Sequence, residues 1–204
     1  MFDPTVFDNL KVVLEGCVYD YDLEEKIAVT GRSDIVDLAT LTRTFSVRFT
    51  RRHPDVSQVS ATSPSLPWGY REDADPAFRN MIEHGAEAEI VLHAELRDLA
   101  GELLEGSRTH TAYGCRLWTV FRMVTAHDQL CGDIANLLTS LWGEQVRVMP
   151  TVSHGCDPRS KFLLTYVLDF GRKIGETQIG DFDRLTDHAW RSLVRIDERL
   201  ASIH

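Results

Sequence analysis

The sequence predicts an α+β fold: a mainly antiparallel sheet with two principal helices packed on it. Two observations support this fold class. Several short segments place apolar residues at every second position, and two longer segments repeat with the period of a helix. Most connections between the predicted strands are too short for the crossovers that parallel strands need. A chain of 204 residues suits one domain, so we expect a single α+β domain over residues 1–204.

The N-terminal segment is predicted to form strands. Leu10, Val12 and Leu14 recur at every second position, and a strand pattern continues over residues 18–23. Residues 23–29 are then expected to form a turn and a short returning strand.

A short helix and a further strand are predicted next. Ser33 and Asp34 can cap a helix that runs through Leu41. Beyond it, three apolar residues alternate with polar ones and predict a strand: Phe45, Val47 and Phe49.

Residues 86–113 fit two patterns. Apolar residues at every second position over 88–96 predict a strand with one wet face, whereas leucines at helical spacing over 92–103 favour a helix. We favour the strand. A turn at residues 98–101 and two strands within residues 109–123 would then complete an antiparallel meander.

The two principal helices lie in the second half of the chain. One covers residues 130–141, with Asp128 as its expected cap and Gly143 at its end. The other runs from about Asp183 to the C-terminus and carries a continuous apolar stripe. Two strands joined by a polar loop are predicted between them, at residues 146–152 and 162–170.

The charge of the chain argues against two classes of partner. The formal net charge is −9, from 22 basic and 31 acidic residues. Such a chain is repelled by nucleic acid and by an anionic membrane surface unless its cations cluster. The nearest cluster is the short run from Arg48 to His53. We therefore expect neither a nucleic-acid nor a membrane partner.

Three features predict a soluble cytoplasmic protein. The first residues lack the basic and apolar regions of a signal peptide. The apolar stretch at residues 134–143 is shorter than the roughly 20 residues that span a bilayer. The four cysteines form no paired spacing, and we expect reduced thiols.

The loop at residues 154–161 carries the densest set of reactive side chains. Its candidate catalytic residues are His154, Cys156 and Asp157. A cysteine thiol becomes a nucleophile only beside a base or a cation, which this loop offers. Its candidate ligand-binding residues, which suit a phosphate or carboxylate, are Arg159, Ser160 and Lys161. An ordinary hairpin turn explains the same composition.

A second constellation lies on the wet face of the predicted hairpin. If the turn is centred between Ala100 and Gly101, His93 lies opposite Arg108 and His110 lies opposite Val91. Glu89, His93 and His110 could then hold a divalent metal. A solvated face of a sheet has the same composition, so no metal is assigned.

Residues 51–76 form a long loop rich in proline and serine. A loop of this length is functional or disordered in most compact domains. Its apolar anchor contains Trp68 and Tyr70, which we expect to contact a ligand or partner.

Two functional hypotheses follow. The first is a non-catalytic binding or regulatory protein that acts as a homo-oligomer. Antiparallel sheets with an exposed edge often dimerise, so we expect a homodimer. The second is a small enzyme that acts on an anionic small molecule through the 154–161 loop. Convergence of that loop with Arg48 or Arg51 in one pocket would support the enzyme, and no motif indicates a cofactor.

Overall fold

The computed structural model describes residues 5–52, 85–95, 114–154 and 161–202 of the chain. These residues form three α-helices, one 3-10 helix and six strands. In chain order they are α1 (Thr5–Leu23), β1 (Ile27–Asp37), β2 (Thr42–Arg51), β3 (Glu87–Glu95), β4 (Cys115–Thr125), α2 (Leu130–Trp142), β5 (Arg147–His154), β6 (Phe162–Ile174), the 3-10 helix (Glu176–Asp181) and α3 (Phe182–Ala201).

The six strands form one sheet in the order β1-β2-β3-β4-β6-β5. Every neighbouring pair is antiparallel. Strands β1 to β4 follow one another as a meander, whereas β6 pairs with β4 and leaves β5 at the edge. The predicted α+β class with a mainly antiparallel sheet is therefore confirmed.

The register of the strands separates two faces of the sheet. Phe45, Leu92 and Leu117 lie side by side on β2, β3 and β4, and all three are buried. The three α-helices pack against this face, which we call the helical face. The opposite face, which we call the second face, carries Arg48 beside Glu89, and Glu87 beside Arg122.

Helix α1 corrects the prediction of strands over residues 10–23. Its buried residues follow a helical spacing of three and four: Phe7, Leu10, Leu14, Val18 and Tyr21. Val12, which the strand pattern placed beside Leu10 and Leu14, is 63% exposed. The period of two was a coincidence over three positions, and the longer helical stripe buries more apolar surface. The fold thus has a third α-helix beside the two predicted.

Strand β1 corrects the helix predicted from Ser33 to Leu41. It continues to Asp37, and Ser33 pairs with Ser46 of β2. The polar residue that stops the strand is Asp37, whose Oδ1 accepts hydrogen bonds from the backbone N–H groups of Ala39 and Thr40, at 2.8 and 3.2 Å. Short polar side chains form hydrogen bonds with nearby backbone in turns as well as in helix caps. The serine and aspartate residues of this segment therefore do not distinguish a helix start from a strand and turn.

The other α-helices and strands of the described residues agree with the sequence in type, and the strand predicted at residues 109–113 lies outside the described residues. The structure has strands at β2, β4, β5 and β6, helices at α2 and α3, and a strand rather than a helix at β3. The expected end of α2 at Gly143 is present, with a φ of 81°. The expected cap at Asp128 is not, since the N-cap is Gln129 and no side chain bonds there. The predicted Pro/Ser-rich loop lies outside the described residues from residue 53 onward.

Candidate functional site

A cavity of about 330 Å³ opens on the helical face, between the end of α2, the end of β6, the 3-10 helix and the start of α3. Small-molecule sites start at about this size, roughly 300 Å³. Its apolar walls are Leu117, Trp142, Val146, Phe170, Ile174, Phe182 and Leu185. Its polar lining is Arg172, Gln178, Asp181, Arg184 and His188. We call it the Trp142 cavity.

Trp142 is held in place from several directions. Its indole N–H donates to Ser192 Oγ at 3.0 Å. Its ring meets Phe121, Phe170 and His188 edge-on, with centroids 6.3, 5.6 and 4.5 Å apart. Buried tryptophans need a partner for their single donor, and Ser192 supplies it. The wall that Trp142 gives the cavity is therefore rigid.

His188 has one ring nitrogen already engaged. Its Nε2 lies 2.9 Å from the carbonyl oxygen of Leu141. A carbonyl oxygen only accepts, so Nε2 carries the proton and donates. In this tautomer the other nitrogen, Nδ1, is a hydrogen-bond acceptor. His188 can thus complement a donor on a ligand.

The rim of the cavity carries more positive than negative charge. Arg172 and Arg184 are exposed there, and Asp181 is the carboxylate among the lining residues. Two guanidinium groups can bind a carboxylate or phosphate with paired hydrogen bonds. The arrangement suits a small anion with an apolar body.

The sequence alone does not predict this cavity. Its lining runs from Leu117 on β4 to His188 on α3 and draws on five elements. No spacing along the chain groups such residues. The one local signal was a tryptophan at the end of an amphipathic helix, directly before Gly143.

The predicted site at the 154–161 loop is described at its two ends. His154 is exposed at the end of β5, and its ring meets Phe162 edge-on with centroids 5.7 Å apart. Lys161 is exposed just before β6. The other predicted members lie outside the described residues: Cys156, Asp157, Arg159 and Ser160. Their roles stay predictions.

Arg48 and Arg51 do not join His154 and Lys161. They lie on β2, which is three strands from β6 and four from β5. Strands lie about 4.8 Å apart, so these separations are roughly 14 and 19 Å. Arg48 also points to the second face. His154 lies two residues after Val152, which is opposite the buried Leu164, so His154 points to the helical face. The convergence that would have supported an enzyme is absent among these four residues.

The register assumed for the predicted metal set is wrong. Both sides of β3 are already paired, with β2 and with β4. His93 lies opposite Thr44 and Arg116, and Val91 lies opposite Ser46 and Trp118. Arg108 and His110 lie outside the described residues. The turn signal at residues 98–101 predicts that the segment directly after it pairs with β3, whereas β4 is the observed partner.

Glu89 and His93 are engaged with other partners. Glu89 Oε2 lies 2.7 Å from Arg122 Nη1. His93 Nδ1 lies 2.9 Å from Thr44 Oγ1, its ring packs on Trp118 at 5.4 Å, and burial lowers the pKa of His93. Within residues 5–52, 85–95, 114–154 and 161–202, no three His, Cys, Asp or Glu side chains lie together as metal ligands.

Glu87 is the most buried charged residue on the second face. Its side chain is fully buried, and Oε2 accepts a hydrogen bond of 2.9 Å from Thr30 Oγ1. Oε1 lies 3.8 Å from Arg122 Nη1 and has no hydrogen-bond partner in the described part of the chain. Burial raises the pKa of Glu87 despite Arg48 and Arg122 nearby. The group is a structural acceptor with one oxygen unsatisfied.

The predicted contacts of Trp68 and Tyr70 lie outside the described residues. The cysteines that the structure describes, Cys17, Cys115 and Cys131, are free thiols. None of the described helices is long and apolar enough to cross a membrane.

Comparisons with known proteins give no relative for this chain. Neither a protein-family model, nor a curated protein, nor a solved structure matches it.

Proposed function

We propose that this chain is a non-catalytic binding or regulatory protein that acts as a homo-oligomer, and that the Trp142 cavity holds its ligand. The observation that carries the proposal is the combination of rigid apolar walls with two arginines at the rim. The proposed ligand is a small anionic molecule with an apolar body.

The walls and the rim supply different parts of the binding free energy. Burying the apolar body of a ligand against Trp142, Phe170 and Leu185 contributes about 25 cal/mol for each Å² removed from water. Arg172 and Arg184 then select for a negative charge, because a charged hydrogen bond contributes about 1.5–3 kcal/mol. Apolar burial supplies affinity, and the arginines supply specificity.

The test uses 8-anilinonaphthalene-1-sulfonate, an apolar aromatic anion whose fluorescence rises in apolar surroundings. We expect the wild-type chain to bind it and Arg172→Gln and Arg184→Gln each to weaken binding about tenfold. The matched control is Arg147→Gln, which removes the same charge from an exposed arginine on the second face. Fluorescence titration at constant ionic strength measures all four dissociation constants.

A cavity-filling variant separates this site from other apolar surfaces. Leu185→Trp replaces a wall side chain by a bulky indole ring that fills the cavity, and it should abolish binding of the probe. The proposal is wrong if Leu185→Trp binds as the wild type does, or if Arg147→Gln loses as much affinity as the rim variants.

The compartment and the enzymatic alternative stay proposals. Three free thiols support a reducing, cytoplasmic location. The enzyme acting through the 154–161 loop rests on side chains outside the described residues. The Trp142 cavity favours binding over that alternative.

A further inference from the structure

The exposed apolar side chains of the described residues are concentrated at one edge of the molecule. Eight large hydrophobic side chains are exposed, and seven of them belong to α1, β1 or the β1–β2 turn. These seven are Val12, Tyr19, Leu23, Ile35, Val36, Leu38 and Leu41, and we call them the β1-edge patch. The eighth, Val152, lies on β5 at the opposite edge. Scattered exposed residues need no explanation, whereas a concentration of this kind marks an interaction surface.

The helical part of the patch faces the side of β1. Val12, Tyr19 and Leu23 share one face of α1 with Asp8 and Glu15, at spacings of three and four. Asp8 pairs with Arg43 of β2 at 2.9 Å, and Glu15 pairs with Arg32 of β1. These ion pairs place α1 over β1 and β2, so its exposed stripe lies on the same side of the sheet as Val36, whereas Ile35 points to the second face at the same edge.

The two edge strands differ in how they resist pairing with another chain. Strand β5 has Pro150 near its middle, which lacks the N–H that a further strand would need. Strand β1 contains no proline, and its charged side chains are Arg32, Asp34 and Asp37. It has one irregularity, between Val29 and Gly31, and runs regularly from Gly31 to Asp37. The apolar patch thus lies at the edge where every residue of the regular stretch keeps its backbone N–H.

We infer that a second copy of this chain docks on the β1-edge patch, with the two β1 strands paired antiparallel about Ser33. This arrangement places Arg32 of each copy opposite Asp34 of the other, so opposite charges face each other across the edge. Within its own chain Arg32 also pairs with Glu15, and Asp34 also pairs with Arg43. The arrangement extends the sheet across a two-fold axis. The inference specifies the self-association in the proposed function and does not depend on the Trp142 cavity.

The helices fit this arrangement. Neighbouring strands lie about 4.8 Å apart. Since α1 lies over β1 and β2, the α1 helices of the two copies would lie about 10 Å apart. That is the usual spacing of packed helices, about 8–10 Å. Val12 and Tyr19 would then pack between the helices. An identical partner satisfies both sides of such a contact at once, as two-fold interfaces require.

The first experiment measures molar mass by sedimentation equilibrium over a range of concentrations. We expect a dimer for the wild type. Ile35→Lys and Val36→Lys should each raise the dimer dissociation constant at least about tenfold, because an ammonium group would have to be desolvated in the interface. The control is Val152→Lys, which makes the same change at the other edge strand and should leave the dimer intact.

The second experiment tests the register by oxidative cross-linking. A Ser33→Cys chain should form an intermolecular disulfide, because residues directly opposite in antiparallel strands have Cα atoms about 4.5–5.5 Å apart. An Ile35→Cys chain should not, since Ile35 lies opposite Gly31 of the second copy. The native cysteines are common to both chains and cancel in the comparison.

Three results would overturn the inference. They are a monomeric wild type, a dimer that survives both lysine variants, and cross-linking at position 35 in preference to position 33. Circular dichroism checks that each variant is folded. A dimer that is lost while the circular dichroism spectrum is kept supports the interface. Failure of probe binding in the wild type bears on the Trp142 cavity alone.

Discussion

Asp34 shows how a single residue gains a structural role that its sequence context hides. Its carboxylate accepts two hydrogen bonds of 3.0 Å from Arg43 and one of 2.6 Å from Lys11. Arg43, and to a smaller extent Lys11, lower the pKa of Asp34 to about 2 against the opposing effect of burial. The residue that the sequence predicted as a helix cap instead ties α1 to β1 and β2.

The substitution Asp34→Asn tests this role through the pH dependence of stability. Because the folded pKa is depressed, the ion pairs contribute fully above the unfolded value of 3.8, and the contribution is lost as pH falls toward 2. We expect Asp34→Asn to lower the free energy of unfolding by about 1 kcal/mol at pH 7, after allowing for solvent screening. Urea unfolding at pH 7, 4 and 2.5, at one low chain concentration, measures the difference.

The control for Asp34→Asn is Glu144→Gln at an exposed position after α2. It should change the free energy of unfolding by less than about 0.5 kcal/mol. A deficit of Asp34→Asn that stays the same from pH 7 to 2.5 would contradict the ion-pair explanation.

At the scale of elements, α1 is the clearest difference between sequence and structure. An apolar residue at every second position over 10–14 indicated a strand, but only the residues at helical spacing are buried. A short window cannot separate the two periods when Leu10 and Leu14 satisfy both. Docking on the helical face decides, because it buries the whole stripe from Phe7 to Tyr21.

Two substitutions that each shorten one side chain to alanine distinguish the helix from the predicted strand. Leu14→Ala should lower the free energy of unfolding by about 2–5 kcal/mol, because Leu14 is fully buried in the core. Val12→Ala should change it by less than about 0.5 kcal/mol, since Val12 is exposed. Denaturant unfolding under conditions that keep the chain monomeric measures both. Equal losses would be the result expected of a strand with both residues on one face.

The pairing of β3 shows why strands were predicted better than their partners. Alternation from Ala88 to Ala94 is a property of the strand itself, and the structure confirms it. The partner of His93 depends on which segment returns beside it, which a period of two does not encode. The turn signal nearest to His93 lies at residues 98–101, whereas the strand that pairs with β3 begins at Cys115.

At the scale of the whole molecule, the order of the strands predicts an order of local stability. Strands β3 and β4 are central in the sheet and lie under α3. Strand β5 is an edge, and most of its residues are exposed. We expect amides at residues 88–92 and 117–123 to exchange with solvent at least about tenfold more slowly than those at residues 151–154.

Hydrogen–deuterium exchange with mass spectrometry measures this order at the peptide level. Equal protection of β5 and β3 would contradict the strand order. The comparison needs no variant, so it also serves as a reference for the folded state of every substituted chain above.

The sequence by itself determined the fold class, the helices α2 and α3, and the central strands. These follow from local periodicity, which each segment carries alone. Tertiary structure decided that residues 10–23 are helical and that β4 is the partner of β3. It also grouped the Trp142 cavity and the β1-edge patch. All four depend on which distant segments meet, and that is set by the burial of apolar surface over the whole chain rather than by any local pattern.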